Sequence, residues 1–238
     1  MKGVCKMAYK VFLGVGHGGT DTGAVADGYR EKDMTLVMAL ACQEELARHG
    51  VLVKLSRVKD ENDPVNEEVR ECNDYAPDLA LDIHVNAGGG DGFEAYYTIG
   101  GGKGKSLALA IEQEVKALGQ NSRGCKTREG SSGRDYYAFI RDTACPAVIA
   151  EIGFIDNAKD RAAFDTAQEQ QAFGRAYARG ILKTLGVPEA PIASEDAETM
   201  IAAQTIKKKA GLEDQTIRYL LNYQYGEALV KKLAKAMK

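Results

Sequence analysis

The sequence predicts an α/β fold, a single mainly parallel sheet flanked by helices, with a small helical C-terminal domain. Three observations predict it. Short apolar runs at 9–15, 51–55, 79–85 and 146–154 alternate with stretches in which apolar residues recur at helical spacing, the rhythm of strand–helix–strand units. Three of those runs end at a polar side chain beside glycines, at His17, His84 and Glu151. Composition then breaks at Val187-Pro188-Glu189-Ala190-Pro191, which reads as a linker ahead of three short helical patterns.

Each element has a local reason. Residues 1–8 read as a poorly ordered start, and 9–15 as a strand stopped by Gly16-His17-Gly18-Gly19. Over 31–49, Met34, Val37, Met38, Ala41 and Leu46 follow helical spacing and Gly50 closes the helix. After the strand at 51–55, Asp63-Pro64 is a cap and first-turn signal for a helix to about Tyr75. The strand at 79–85 ends at Asn86-Ala87-Gly88-Gly89-Gly90, and 93–99 reads as another. Leu107, Ala110, Ile111, Val115 and Leu118 define a helix over 106–118. Residues 119–135 read as a long polar loop and 136–140 as strand or turn. Asp156 is a plausible cap, and a helix follows from about Asp165 to Leu185. The expected organisation is a domain over 1–186, a linker over 187–196 and a helical domain over 197–238.

Composition narrows the class. Of 238 residues 27% are charged and 45% apolar, enough for a sizeable core. No apolar run approaches the roughly 18 residues of a membrane span, and no segment has the flanks of a signal peptide. The five cysteines are scattered without a C-x-x-C pair, so free thiols are expected and a thiolate metal site is not. The net charge of −3 is uneven, with eight basic against five acidic residues from Asp196 onward. That tail suggests a unit with its own task, but its charge is too weak by itself to name a polyanionic partner, and no nucleic acid is expected.

In an open parallel sheet, ligands bind outside the carboxyl ends of the strands, where His17, His84 and Glu151 all fall. The chain has three histidines. The third, His49, is explained by an exposed place at a helix C-terminus, where the dipole favours it. Two imidazoles and a carboxylate are a known catalytic zinc set with a position left for water. Glu31 can fold back over the first strand end to supply the carboxylate, in competition with Asp21, Asp27 and Asp82. Taken alone, a helix-initial acid favoured by the dipole is the plainer explanation of Glu31. Asp82 has the parity of His84 and can back its imidazole.

Three ordered motifs over roughly 9–186 resemble the Amidase_3 family of N-acetylmuramoyl-L-alanine amidases. Gly16-His17-Gly18-Gly19, Gly23 and Glu31 look like its first zinc motif, and Asp82-Ile83-His84-Val85-Asn86-Ala87 like its Ser-Ile-His-x-Asn-Ala motif. Pro146 to Asn157 looks like its catalytic-glutamate motif. The resemblance implies one Zn²⁺ per chain held by His17, Glu31 and His84, with Glu151 moving protons. It implies cleavage of the amide between N-acetylmuramic acid and L-alanine in peptidoglycan. Asn86 is a candidate substrate contact, as are Arg123, Lys126 and Arg128 of the 119–135 loop, although a solvated loop is the plainer reading of those three cations. The family's Asp before the first histidine is absent, since the segment reads Gly14-Val15-Gly16-His17, so His17 needs another orienting partner.

With no signal peptide, the expected route is synthesis in the cytoplasm and action on the wall after release, as for a phage endolysin. A sporulation amidase released at lysis is the host counterpart. The competing functions are a non-catalytic wall-binding protein with a degenerate site and a zinc hydrolase of another peptidoglycan amide. Leu220, Leu221, Tyr223, Tyr225, Leu229, Val230, Leu233 and Met237 give the C-terminal helices apolar surface, suited to docking, self-association or a wall polymer.

Overall fold

The computed structural model describes residues 8–188, 197–212, 214–221 and 226–237. The start at 1–7 and most of the 187–196 linker lie outside the described residues, as do Tyr223 and Tyr225. The chain divides into two compact units, Met1–Glu189 and Ala190–Lys238.

The first unit opens with β1 (Lys10–Val15), the short pair β2 (Val25–Ala26) and β3 (Tyr29–Arg30), and α1 (Glu31–Arg48). β4 (Leu52–Leu55), α2 (Val65–Tyr75), β5 (Leu79–Asn86), β6 (Phe93–Tyr97) and α3 (Gly102–Ala117) follow. β7 (Ser122–Lys126), α4 (Ala138–Asp142), β8 (Ala147–Phe154), α5 (Ala158–Arg161) and α6 (Ala167–Leu185) complete it. The six-stranded sheet runs β4-β1-β5-β8-β6-β7. β4, β1, β5 and β8 are parallel, and β6 runs antiparallel to β8 and parallel to β7. The mainly parallel sheet flanked by helices is therefore as the sequence predicts.

Strand alternation splits the sheet into two faces. Val11, Leu13, Val15, Leu81, Ile83, Val148 and Ala150 pack with α1, α3 and α6 in the main core. Phe12, Ala80, Ala147 and Ile149 pack with Cys72 of α2 and with Phe139 and Ile140 of α4 in a smaller one. Asp82, His84 and Glu151 share the parity of this second face, which has fewer covering helices. The chain leaves β1 toward β4 on one side and later returns to β5 on the other, so the strand order reverses between β1 and β5. That is where an open sheet leaves a crevice.

Several expectations need correction. Thr166, whose hydroxyl accepts from Glu169 N while the Glu169 carboxylate reaches back, starts α6 with a capping box. Asn157 caps α5, while Asp156 instead accepts from the amides of Gly88 and Gly89. The supposed loop at 119–135 contains an edge strand, β7, and 136–140 is neither strand nor turn but enters α4. His49 is not exposed: its side chain is 4% accessible and its Nδ1 lies 2.9 Å from the Glu45 carbonyl. The expected free thiols are found at Cys42, Cys72, Cys125 and Cys145.

In the second unit, α7 (Ala197–Ala210), α8 (Asp214–Leu221) and α9 (Gly226–Ala236) gather a small core from Ala202, Ala203, Ile206, Ile217, Val230 and Ala234. Leu220, Leu221, Leu233 and Met237 are partly buried against it, and Leu229 is exposed. Among the described residues, no helix is long and apolar enough to cross a membrane.

Candidate active site

His17, Glu31 and His84 converge above the β1–β5 crevice, with one potential ligand atom from each within 4.8 Å of the others. His17 follows β1 in the left-handed backbone region, at φ 65°, which is uncommon for a residue with a side chain. Glu31 is the first residue of α1 and is buried. His84 sits in β5 beside Glu151 of β8, the two being direct register partners. Glu151 does not end its strand: β8 continues to Phe154, with one extra residue between the His84–Glu151 and Asn86–Phe154 pairs. Bulges of this kind re-aim side chains near functional sites.

The Glu31 carboxylate is the hub. Its Oε2 lies 3.2 Å from His17 Nε2 and accepts from Ala24 N at 2.9 Å. Its Oε1 lies 3.0 Å from His84 Nδ1 and accepts from Val85 N at 2.8 Å. The outer nitrogen of each imidazole also faces a carboxylate, Asp21 at 2.8 Å from His17 Nδ1 and Asp82 at 3.0 Å from His84 Nε2. A carboxylate behind an imidazole fixes its tautomer and raises its basicity, so both rings present their other nitrogen toward the common centre. Asp21 thereby does the work of the Asp missing before His17. Its spacing of four residues is visible in the sequence, but it reads there only as a competing ligand.

The loop carrying His17 is tied down from beneath. Arg57, 2% exposed, donates to the carbonyls of Val15, Lys32 and Lys59 and to Thr35 Oγ1. Lys32, also buried, donates to Gly19 O and to Asp60. Gly23, at φ 61°, is required because a Cβ there would meet Glu31 Oε2 at 2.6 Å and the His17 ring. Arg57→Ala should destabilise the fold by about 3 kcal/mol or more, since it leaves several buried acceptors unpaired. Chemical denaturation checks this, and Arg57→Lys should rescue little because an ammonium lacks the planar fork.

Charge follows this geometry. Burial opposes ionisation of Glu31, but His17 and His84 outweigh it and hold the carboxyl far below its usual range. Burial pulls both imidazoles down, yet Glu31 and Asp21 hold His17 above its ordinary value, and Asp82 and Glu31 hold His84 well above. Burial pushes the Glu151 carboxyl up to about 7, with Glu31, Asp82 and Glu94 adding to the effect and His84 opposing it. Its Oε2 is buried with no hydrogen-bond partner among the described residues, as suits a group kept for a ligand. Asn86 turns inward: its amide donates to Glu94 Oε2 at 3.3 Å and its Oδ1 accepts from Ala87 N.

Two imidazoles backed by carboxylates, one ionised glutamate between them and the adjoining orphan oxygen of Glu151 fit a divalent metal ion. Asp21→Asn should weaken metal binding about 10–100-fold while leaving the fold intact, which competition with a chelator would measure.

An α/β sheet with a His–Glu–His cluster at its switch point, beside a carboxylate poised near neutrality, defines a protein of the metal-assisted hydrolase class. The chain belongs to the Amidase_3 family of N-acetylmuramoyl-L-alanine amidases, whose model matches residues 11–183. It is 35% identical over 182 residues to the N-acetylmuramoyl-L-alanine amidase CwlM of Bacillus licheniformis, covering 75% of this chain and 69% of that protein. It is 37% identical over 166 residues to the endolysin of Bacillus phage SPP1, covering 66% of this chain and 58% of that one. Among solved structures, it is similar to the catalytic domain of CwlV, an amidase from Bacillus (Paenibacillus) polymyxa var. colistinus. The TM-score is 0.67 at 29% identity, covering 76% of this chain and 99% of that one.

Proposed function

We propose that the chain is a zinc-dependent N-acetylmuramoyl-L-alanine amidase that hydrolyses the bond between the lactyl carbonyl of N-acetylmuramic acid and the L-alanine nitrogen of the stem peptide. The observation that carries this reading is the placement of Glu151 beside His84, one strand from the His17–Glu31–His84 cluster. Two imidazoles and one carboxylate are a donor set that suits zinc and leaves room for water. When bound, the ion supplies Lewis acidity, polarising a carbonyl and acidifying water. His17, Glu31 and His84 would hold it, and Asp21 and Asp82 orient the two rings. Glu151 takes a proton from the attacking water and hands it to the departing alanine nitrogen. A buried carboxylate beside the metal site, with an oxygen left unpaired, can serve both halves of that transfer.

The likeness to a phage endolysin supports a lytic role for an enzyme made in the cytoplasm and released onto the wall. Asp21 behind His17 speaks against a degenerate, wall-binding site. For the C-terminal unit, the excess of basic residues supports retention on an anionic wall polymer. Mass spectrometry of walls digested by the zinc-loaded protein tests the reading. Stem peptides with free alanine amino termini are the expected product, and fragments cut at any other amide overturn it.

A further inference from the structure

On the site face of the sheet, beyond Glu151, lies a second charge cluster. β6 pairs with β7 at Phe93–Ser122, Ala95–Cys125 and Tyr96–Lys126, so Arg123 and Gly124 both stand opposite Glu94. This is a β-bulge, with Gly124 at φ 91° supplying the conformation that a side chain would disfavour. Arg123 and Lys126, three apart in sequence, are thereby brought to the same partner. Both bond Glu94 Oε1, Arg123 through Nε and Lys126 through Nζ at 2.6 Å. Glu94 is buried and is the direct register partner of Glu151. Its other oxygen accepts from Tyr96 OH at 2.9 Å and from Asn86.

One carboxylate, Glu94, thus holds two cations, with Asp91 also acting on Arg123. The Arg123 and Lys126 side chains are 45% and 35% exposed. Arg123 uses only Nε on Glu94, and its two terminal nitrogens have no hydrogen-bond partner among the described residues. Its guanidinium is kept in place 5.4 Å from the centre of the Phe154 ring. A positioned guanidinium with two outward nitrogens matches a carboxylate bidentately.

We propose that Arg123 and Lys126 form a subsite for the carboxylate of the second stem-peptide residue, a specificity device that rests on the amidase activity proposed above. The chemistry of the substrate selects this ligand. The scissile amide consumes the lactyl carboxyl, and the N-acetylated sugars are neutral, so the carboxylates near the cut belong to the peptide. Distance selects the residue. The cationic heads gather at Glu94, one strand spacing or about 5 Å from Glu151, and an extended peptide advances about 3.5 Å per residue. The first residue past the cut is alanine, with an uncharged side chain. The second is the first that can present a carboxylate at that range.

The test compares two soluble muramoyl tetrapeptides, identical except that the second-residue carboxyl is free or amidated. Both are offered to the full-length, zinc-loaded enzyme, and the readout is the ratio of the two kcat/KM values. That ratio cancels any effect of a substitution on folding or on Glu151. The wild type should favour the free acid about 10-fold or more, as expected for a charged hydrogen-bonded contact. Arg123→Gln and Lys126→Gln should each reduce the ratio several-fold and the double variant should bring it near one, through KM rather than kcat. A wild-type ratio near one, or an unchanged ratio in the double variant, overturns the subsite. Binding of the two peptides to the Glu151→Gln variant reads the same preference without turnover. If the wild type cuts neither peptide, the amidase reading fails, and the binding ratio still decides the subsite.

Discussion

Glu151→Gln is expected to retain one metal ion per chain and to cut amide hydrolysis by about 10³–10⁴-fold, the range that a positioned acid–base group contributes. Glutamine keeps the shape of the side chain and touches none of His17, Glu31 and His84 differently, so metal binding should stay near wild type. It cannot take a proton from water. A second readout follows from the carboxyl's raised pKa of about 7. The unfolded chain releases this proton near 4.5, so between those values the native state binds more protons than the unfolded one. Stability of the metal-free protein therefore falls as pH rises through that window, and the penalty is complete above 7. Its ceiling is about 3 kcal/mol. The metal-free variant should accordingly melt higher than the metal-free wild type at pH 8 and match it near pH 4.5. Near-wild-type wall lysis by the purified variant would sink the catalytic assignment, and an unchanged pH slope of melting would sink the electrostatic one.

That dual behaviour was half legible in the sequence. A carboxylate closing an apolar run beside a glycine marks an awkward burial, and its pairing with two strand-end histidines follows from the parallel order of the strands. The alternation of apolar runs and helical spacings gave the sheet and its flanking helices because burial on two faces imposes that pattern. What stayed hidden depends on long-range register. Nothing local in Ser122 to Lys126 marks a strand: a short polar run broken by Gly124 looks like loop until β6 supplies the bulged partner. Asp21 has helical spacing from His17 but no helix, and only the left-handed turn at His17 brings its carboxylate onto Nδ1. Arg57, in Ser56-Arg57 after the second strand run, reads in the sequence as a residue that packs or pairs structurally. Its burial beneath the first loop emerges only when β1, α1 and the segment after β4 meet. His49 went the other way, since a residue before a closing glycine looks exposed, whereas its ring is covered in the fold.

Glu31→Gln is expected to abolish stable metal binding and activity together, which separates this residue from Glu151. The wild-type carboxylate accepts two backbone amides and faces two imidazole nitrogens at 3.0 and 3.2 Å. A carboxamide has one oxygen, so its NH₂ must oppose either Ala24 N–H or Val85 N–H, donor against donor. It also removes the negative charge between the rings. Metal affinity should fall by at least about 100-fold, the upper end of what loss of a mere orienting partner costs, and hydrolysis should fall with occupancy. The titration of the metal-free protein gives an independent check. Glu31 is held far below the ordinary carboxylate range, so its contribution to stability is present above about pH 4.5 and is lost as the pH falls toward its folded value. The variant should lack that acid limb. His17 and His84 are raised partly by the same carboxylate, so their contribution is present below about 6.5 and lost as pH rises through their folded values. In the variant both imidazoles should titrate lower, which NMR of a chain with three histidines resolves directly. Retention of a full metal equivalent after dialysis, with both imidazoles titrating as in the wild type, would remove Glu31 from the ligand set and reopen the choice among the neighbouring carboxylates.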